Sequence, residues 1–515
     1  MAAGMWLDEN TAVLRSVLEA NAAAHPDRPV ITFESGETWT SARALAEAAA
    51  TAHRLADQGV AQGDRVAIML PNGADFIRTW WATRLLGAAI MPLNPALKGE
   101  MLTHPLKLAE PGLIVTTAEF AAARCTELGG QRTVTPAELI GECTDVPALT
   151  RPIGLDDPEV ILMTSGTTGP SKVWSSTVLQ ASTTGLYVRD GGLSDDDRFL
   201  VDLPLFHTAG LGVTAGCLRA GTHVLLRGRP SLTRYFEIAA TQGVTAGFLV
   251  GSMAEKLLTN PESEWDRAHA VRMMVAAPLP HDLDRFVARF GIKRIVTSFG
   301  STETGGPIGS GPDAEIPAPG SCGRERPGWG QYKLVDESGA EVPVGSAGEL
   351  LLRPSHPAMR AGHYVNDPEA TAQAWRGGWF HTGDLFRRNC DGDYFFLERN
   401  RDSLRRRGEN ISSFEVEREV LREPGVASVA CVGVPATDDV GIEVKVWIVP
   451  QAGAELDFAT MAQRLAARMP RYMVPRYFEL IEAMPLTPMM KVQKFALRDL
   501  GNSDRTWDRL AEGSS

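Results

Sequence analysis

Val160-Ile161-Leu162-Met163-Thr164-Ser165-Gly166-Thr167-Thr168-Gly169-Pro170-Ser171-Lys172 is the stretch on which the reading of this chain turns. Its first four residues form a short apolar run, the pattern of a buried strand. The rest gathers glycines, hydroxyls and a terminal cation. Glycines let backbone N–H groups turn inward on an anion, threonine and serine hydroxyls donate to it, and lysine adds a point charge. A loop of this kind after a strand suits a polyphosphate. A Ser/Thr-rich surface turn has the same composition, so the stretch alone leaves both readings open.

Outward from it the chain alternates between two periods. Upstream, residues 11–24 and 41–58 carry apolar residues at helical spacing, with Thr40 or Ser41 as an N-cap, and Val30-Ile31-Thr32-Phe33 between them is a strand. Asp64-Arg65-Val66-Ala67-Ile68-Met69-Leu70 and Ala88-Ala89-Ile90-Met91-Pro92-Leu93 are strands around a helix over residues 74–87. Such alternation predicts parallel α/β layers. Downstream, the strand at residues 198–203 runs into Phe206-His207, and the strand at residues 294–298 opens into Phe299-Gly300-Ser301-Thr302-Glu303. Past residue 320, short strands and tight turns predict a small antiparallel subdomain. The tail alternates again, with a helix over 413–423, strands over 426–434 and 443–449, and a helix over 457–469.

Length and charge limit the functions available. A chain of 515 residues exceeds one hydrophobic core, so two or more domains are expected. A net charge of −12 argues against a nucleic-acid or anionic-membrane binder, both of which reward basic surfaces. The six cysteines form no CxxC pair, which fits reduced thiols in a cytoplasmic protein. Arg84 interrupts the best apolar candidate for a membrane span.

Motifs that are weak singly recur here in one order: the 164–172 loop, Phe206-His207, Phe299 to Glu303, Gly378-Trp379-Phe380-His381-Thr382-Gly383-Asp384, Arg399 with Asp402, Gly408-Glu409-Asn410, and Lys491. In that order, over residues 30–500, the chain resembles the acyl-CoA synthetases of the adenylate-forming superfamily. The resemblance implies an α/β fold: a large N-terminal domain of two α/β sheet subdomains plus a small antiparallel β subdomain, then a small mobile α+β C-terminal domain. It places the N-terminal domain at residues 1–399, a hinge at 400–402 and the C-terminal domain at 403–515.

The reaction implied has two halves. A carboxylate attacks ATP to give acyl-AMP and pyrophosphate, and the thiol of coenzyme A then displaces AMP. By the resemblance, Thr164, Ser165, Gly166, Thr167, Thr168, Gly169 and Lys172 hold the leaving phosphates, Thr302 meets the α-phosphate, and Glu303 and Thr167 hold Mg²⁺. Phe299 and Gly300 border adenine, Ala276, Ala277 and Pro278 complete the cofactor-binding wall, and Asp384 and Arg399 take the ribose. Lys491 stabilises the transition state, His207 walls the acyl pocket, Asp402 is the hinge, and Gly408 borders the coenzyme A tunnel with the nearby arginines facing its phosphates. The implied partners are a small carboxylic acid and coenzyme A as acceptor, and the family permits a homodimer.

Five positions depart from the family pattern. Ser171 separates Pro170 from Lys172, Val173 and Val178 replace a glycine and a histidine, Phe299 replaces a tyrosine, which keeps the stacking ring but loses a hydroxyl, and Met490 replaces the glycine before Lys491. The stretches expected to line the acyl pocket, residues 210–216, 247–252, 276–277 and 305–307, have small side chains and no acid for an α-amine. They predict a bulky apolar acid, aryl, alicyclic or terpenoid, although the same glycines would also suit close backbone packing. Transfer of acyl-AMP to a carrier protein or partner enzyme, and a nucleotide-binding pseudoenzyme, are the alternatives.

Overall fold

The computed structural model describes residues 7–511 except 165–170, 281, 312–314, 337, 400–402, 407–408, 437–440, 486–491 and 493. The chain divides into two compact units. One comprises residues 1–95, 108–162 and 173–398, the other residues 96–107, 163–172 and 399–515.

The first unit is built on a seven-stranded sheet in the order Arg294–Val296, Met273–Ala276, Ala246–Leu249, Arg198–Val201, His223–Leu226, Pro29–Phe33, Thr38–Thr40. All neighbours pair in parallel except the last two, which form an antiparallel hairpin. A second seven-stranded sheet contains Arg65–Met69, Ala89–Pro92, Leu113–Thr116 and Pro158–Thr164, with parallel pairing throughout that set. Strands such as Ala89–Pro92 and Leu113–Thr116 are buried at every position, as parallel strands covered on both faces must be. A four-stranded antiparallel sheet, Gly330–Val335, Ala347–Pro354, Phe380–Arg388 and Tyr394–Arg399, is the small β subdomain.

Helix ends follow from local chemistry. The Ser41–Asp57 helix starts where the Thr40 hydroxyl accepts the Arg43 N–H at 3.3 Å. The helix expected over residues 11–24 is two, Glu9–Ala12 and Leu14–Ala24, because buried Val13 adopts an extended backbone between them. The strand expected over 294–298 also divides. The Thr297 N–H donates to the Ser310 hydroxyl at 2.9 Å and the Thr297 carbonyl accepts the Ser310 N–H at 2.9 Å. That exchange turns the chain, so Ser298–Ser301 joins a three-stranded antiparallel sheet instead.

In the second unit, a four-stranded sheet of Val426–Pro435, Ile442–Pro450, Tyr477–Leu480 and Trp507–Asp508 packs with the helices Ser413–Leu421, Phe458–Arg468 and Lys494–Leu500. Its centre holds Lys445, fully buried, whose ammonium donates to Glu479 at 2.6 Å and to the Gly501 carbonyl at 2.6 Å. Arg406 is buried too, pairing with Glu443 at 2.6 Å and donating to the Tyr472 carbonyl at 2.8 Å. This arginine supports the unit's core, which corrects the expectation that the whole arginine strip faces coenzyme A.

At the end of the central Arg198–Val201 strand, Asp202 is buried and its Oδ1 has no hydrogen-bond partner among the described residues. Burial pushes its carboxyl up to about 7. A carboxyl raised on folding binds its proton more tightly in the native state, so it favours folding at low pH, and that contribution is lost as pH rises through about 7. Asp202→Asn is expected to narrow the gap in melting temperature between pH 5 and pH 8, melting above the unsubstituted protein at pH 8. Parallel thermal scans of both proteins check this.

Candidate active site

Four neighbouring strands of the first sheet, Arg198–Val201, Ala246–Leu249, Met273–Ala276 and Arg294–Val296, run parallel and therefore end on one side. The segments leaving those ends carry His207, the residues from 250 onward, Ala277-Pro278 and the 298–305 turn. Crevices beyond the carboxyl ends of parallel strands are where open α/β sheets bind ligands. Topology thus gathers motifs almost a hundred residues apart.

Each motif is held by its neighbours. His207 precedes the Thr208–Ala220 helix as its N-cap, half-buried, with its ring 4.8 Å from that of Phe206. Thr208 Oγ1 lies 3.4 Å from Thr302 Oγ1. The Thr302 carbonyl accepts the Ser176 hydroxyl at 3.2 Å, and Gln180, itself fixed by the Trp174 indole N–H at 3.2 Å, donates to the Glu303 carbonyl. Tyr364 donates its hydroxyl to Glu303 Oε1 at 3.0 Å, which orients the carboxylate. Phe299 sets its ring edge-on to Phe386, with centroids 4.7 Å apart. Asp384 sits two positions before Phe386 on the Phe380–Arg388 strand, buried, with its N–H donated to Thr382 Oγ1 at 3.1 Å. The Phe299–Phe386 contact brings the 298–305 turn to the strand that carries Asp384.

Glycine makes the turn possible. A Cβ on Gly300 would sit 2.1 Å from the Gly305 carbonyl oxygen, and one on Gly305, at φ +65°, would sit 2.0 Å from Thr183 Oγ1. A Cβ on Gly210 would meet the Pro204 carbonyl at 2.3 Å, one on Gly216 the Gly185 carbonyl at 2.6 Å, and one on Gly247 the Tyr235 hydroxyl at 2.2 Å. At these positions the small residues expected to widen the acyl pocket serve close packing.

A pocket opens beside Thr302 and Thr208. Ile90, Val160, Leu162 and Leu211 line it, with Ala181, Gly212 and Ala215 keeping it wide. Of the expected lining, only part of residues 210–216 borders it.

The remaining expected site residues divide by location. Thr164 ends the Pro158–Thr164 strand and Lys172 begins the Lys172–Thr177 strand, both half-buried. Arg399 ends the Tyr394–Arg399 strand, and its side chain lies outside the described residues, as do Ser165, Gly166, Thr167, Thr168, Gly169, Asp402, Gly408 and Lys491. Ser171, the unusual residue of the loop, is buried in the second unit, where its hydroxyl donates to Glu415 Oε1 at 2.5 Å and its N–H to the same oxygen at 3.2 Å. Tyr364, Gln180 and Glu415 carry no local sequence signal, since each acts on a residue far along the chain. Val178 is buried among Trp174 and Leu179, so the position usually held by histidine is part of an apolar cluster.

Comparison with known proteins identifies the family. The AMP-binding enzyme family matches residues 18–360, and the AMP-binding enzyme C-terminal domain matches residues 415–491. The sulfoacetate–CoA ligase of Cupriavidus necator is 30% identical over 500 residues, covering 94% of this chain and 97% of that one. The feruloyl-CoA synthase of an Amycolatopsis species is 31% identical over 474 residues, covering 90% and 94%. Among solved structures, o-succinylbenzoate CoA synthetase from Bacillus subtilis superposes with a TM-score of 0.83 at 24% identity, covering 94% of this chain and 98% of that one. The chain belongs to the AMP-binding enzyme family and is an AMP-forming acyl-CoA synthetase.

Because the Thr302–Glu303 turn rests on Gly305, Gly305→Ala is expected to lower stability by about 2–4 kcal/mol through the Thr183 clash and the positive φ. Gly311→Ala, with nothing within 4 Å of the added Cβ, is expected to be near neutral. Denaturant melts of the two variants make the comparison.

Proposed function

We propose that this enzyme activates a bulky apolar carboxylic acid, aryl, alicyclic or terpenoid, as its acyl-AMP and then forms the coenzyme A thioester. The observation that carries the reading is the pocket beside Thr302, walled by Ile90, Val160, Leu162 and Leu211 and kept wide by Ala181, Gly212 and Ala215. A cavity with this lining favours an apolar acyl group over a small polar one.

In the first half-reaction a carboxylate oxygen bonds to the α-phosphorus and the bond to pyrophosphate breaks. Two anions meet, so fixed positive charge and positioning must supply the catalysis. The 164–172 loop with Lys172 takes the leaving phosphates, and Thr302 donates to the α-phosphate. Phe299 stacks on adenine, while Ala276, Ala277 and Pro278 border the nucleotide. The two oxygens of Asp384 take the ribose hydroxyls with help from Arg399. Lys491 bridges the carboxylate and α-phosphate oxygens. Glu303, with one oxygen held by Tyr364, is the described carboxylate suited to Mg²⁺, a cation that takes one or two carboxylates beside substrate phosphates. When bound, that ion neutralises phosphate charge. For the second half-reaction, rotation of residues 403–515 about Asp402 withdraws Lys491 and brings Gly408 to the pantetheine path, with His207 gating it. The free state of all six cysteines supports a reducing compartment such as the cytoplasm.

Pyrophosphate exchange into ATP across a panel of acids, repeated with coenzyme A, tests the reading. Thioester formation with aryl or alicyclic acids is expected. Acyl-AMP that accumulates while coenzyme A is present would overturn it in favour of transfer to a carrier or partner enzyme. Lys491→Ala should slow adenylation by about 10²–10³, the effect of removing one preorganised stabiliser, and should spare thioester formation from supplied acyl-AMP. Single-turnover assays of each half separate the two. Tyr364→Phe should raise the Mg²⁺ concentration for half-maximal rate about tenfold, the effect of losing a group that orients a metal-binding carboxylate. A magnesium titration measures it.

A further inference from the structure

The Phe380–Arg388 strand leaves its ladder with Ala347–Pro354 at one place. Leu351 pairs with His381 and Glu349 pairs with Leu385, so Leu350 alone stands opposite Thr382, Gly383 and Asp384. The surplus residues form a bulge. Gly383 adopts φ +68° there, a left-handed conformation that residues with a Cβ seldom take. Bulges re-aim side chains and are over-represented beside active sites. Asp384, the next residue, is buried.

Side chains supply the hydrogen bonds of this bulge. The Gly383 N–H donates to Glu349 Oε1 at 3.0 Å. The Asp384 N–H donates to Thr382 Oγ1 at 3.1 Å, and the Thr382 hydroxyl donates to the Leu350 carbonyl at 2.8 Å. Two successive backbone N–H groups are thus fixed by Glu349 and Thr382, and the Asp384 carboxylate projects from the backbone they hold. Glu349 has two further neighbours, His381 Nδ1 at 3.4 Å and Arg376 Nη2 at 3.9 Å. Both lie farther off than the Gly383 N–H. Burial, with the Arg376 charge beside it, lowers the His381 imidazole, so at neutral pH it is uncharged and asks for no counter-ion. Arg376 is half-exposed, where an ion pair is worth little. The Gly383 N–H is the contact that gains from a carboxylate, since a charged acceptor makes the stronger bond.

We propose that Glu349 and Thr382 are positioning residues for the nucleotide: by holding the bulge they aim the Asp384 carboxylate, and through it they set how strongly the enzyme prefers ATP to nucleotides that lack a ribose hydroxyl. The inference rests on the reading that Asp384 takes the ribose hydroxyls.

The test is calorimetric titration of the full-length enzyme with ATP, 2′-deoxy-ATP and 3′-deoxy-ATP, which needs no acid. The unsubstituted enzyme should bind ATP about tenfold to a hundredfold more tightly than either deoxynucleotide, the worth of a hydrogen bond to a charged group. Asp384→Ala should abolish that preference. Glu349→Ala and Thr382→Val, which leave the Asp384 side chain in place, should each reduce it to about threefold or less. Glu349→Gln keeps an oxygen for the Gly383 N–H and should retain more of the preference than Glu349→Ala. Thr382→Val decides if Glu349→Ala folds poorly. A role in stability alone would lower the melting temperature or weaken all three nucleotides alike, with their ratio unchanged. An unchanged ratio in Glu349→Ala or Thr382→Val, or a Glu349→Gln enzyme no better than Glu349→Ala, would overturn the proposal, and collapse of the ratio in Asp384→Ala would still support the ribose reading. A preference that survives Asp384→Ala, or none in the unsubstituted enzyme, overturns both.

Discussion

Backbone placed too near for any side chain is the constraint on which the candidate site depends. Gly305 stands so close to Thr183 that no Cβ fits, and Gly300 folds over Gly305 with the same closeness. Between them lie Thr302 and Glu303. The partners that orient these two residues, Ser176, Gln180 and Trp174, come from the strand and helix just before Thr183, and Gln180 also supplies a carbonyl that Gly305 approaches. Packing at the glycines and hydrogen bonding at the motif are therefore one arrangement, because a shifted turn would lose its polar partners together with its contacts.

The parallel sheet supplies the second level of order. Its strands end together, so residues separated along the chain meet without long connecting loops. The antiparallel subdomain adds the strand that carries Asp384, which meets the Phe299 ring through Phe386. In the second unit, Lys445 with Glu479 and Arg406 with Glu443 place charge in the interior, each ion matched by its opposite. Breaking such a pair strands a buried charge, so these contacts define how the unit must fold more than they raise its stability.

Much of this was legible in the chain because its signals are local. Parallel strands read as apolar runs, Thr40 announces a helix start, and the ordered motifs name a family. What was not legible depends on distance. Val13 follows helical spacing yet is extended, and Thr297 continues a strand until Ser310, thirteen positions on, captures its backbone. The glycines at 210, 216, 247 and 305 fitted either a wide pocket or close packing, and only their neighbours decide for packing. Tyr364 and Glu415 were invisible for the same reason, since each finds its partner tens or hundreds of residues away. Ser171 was visible as an anomaly, but its glutamate was not.

The helix Thr208–Ala220 divides these duties around its circumference. Gly210 and Gly216 lie against neighbouring backbone, whereas Leu211 and Ala215 face the cavity. Gly212, which both lines the cavity and touches Thr184, is where the two overlap. Under the acyl role proposed for the cavity, changes at positions 211 and 215 bear on which acid fits, whereas changes at 210 and 216 bear on packing. A directed-evolution library confined to that stripe would vary the proposed acyl cavity while leaving the backbone contacts of Gly210 and Gly216 in place.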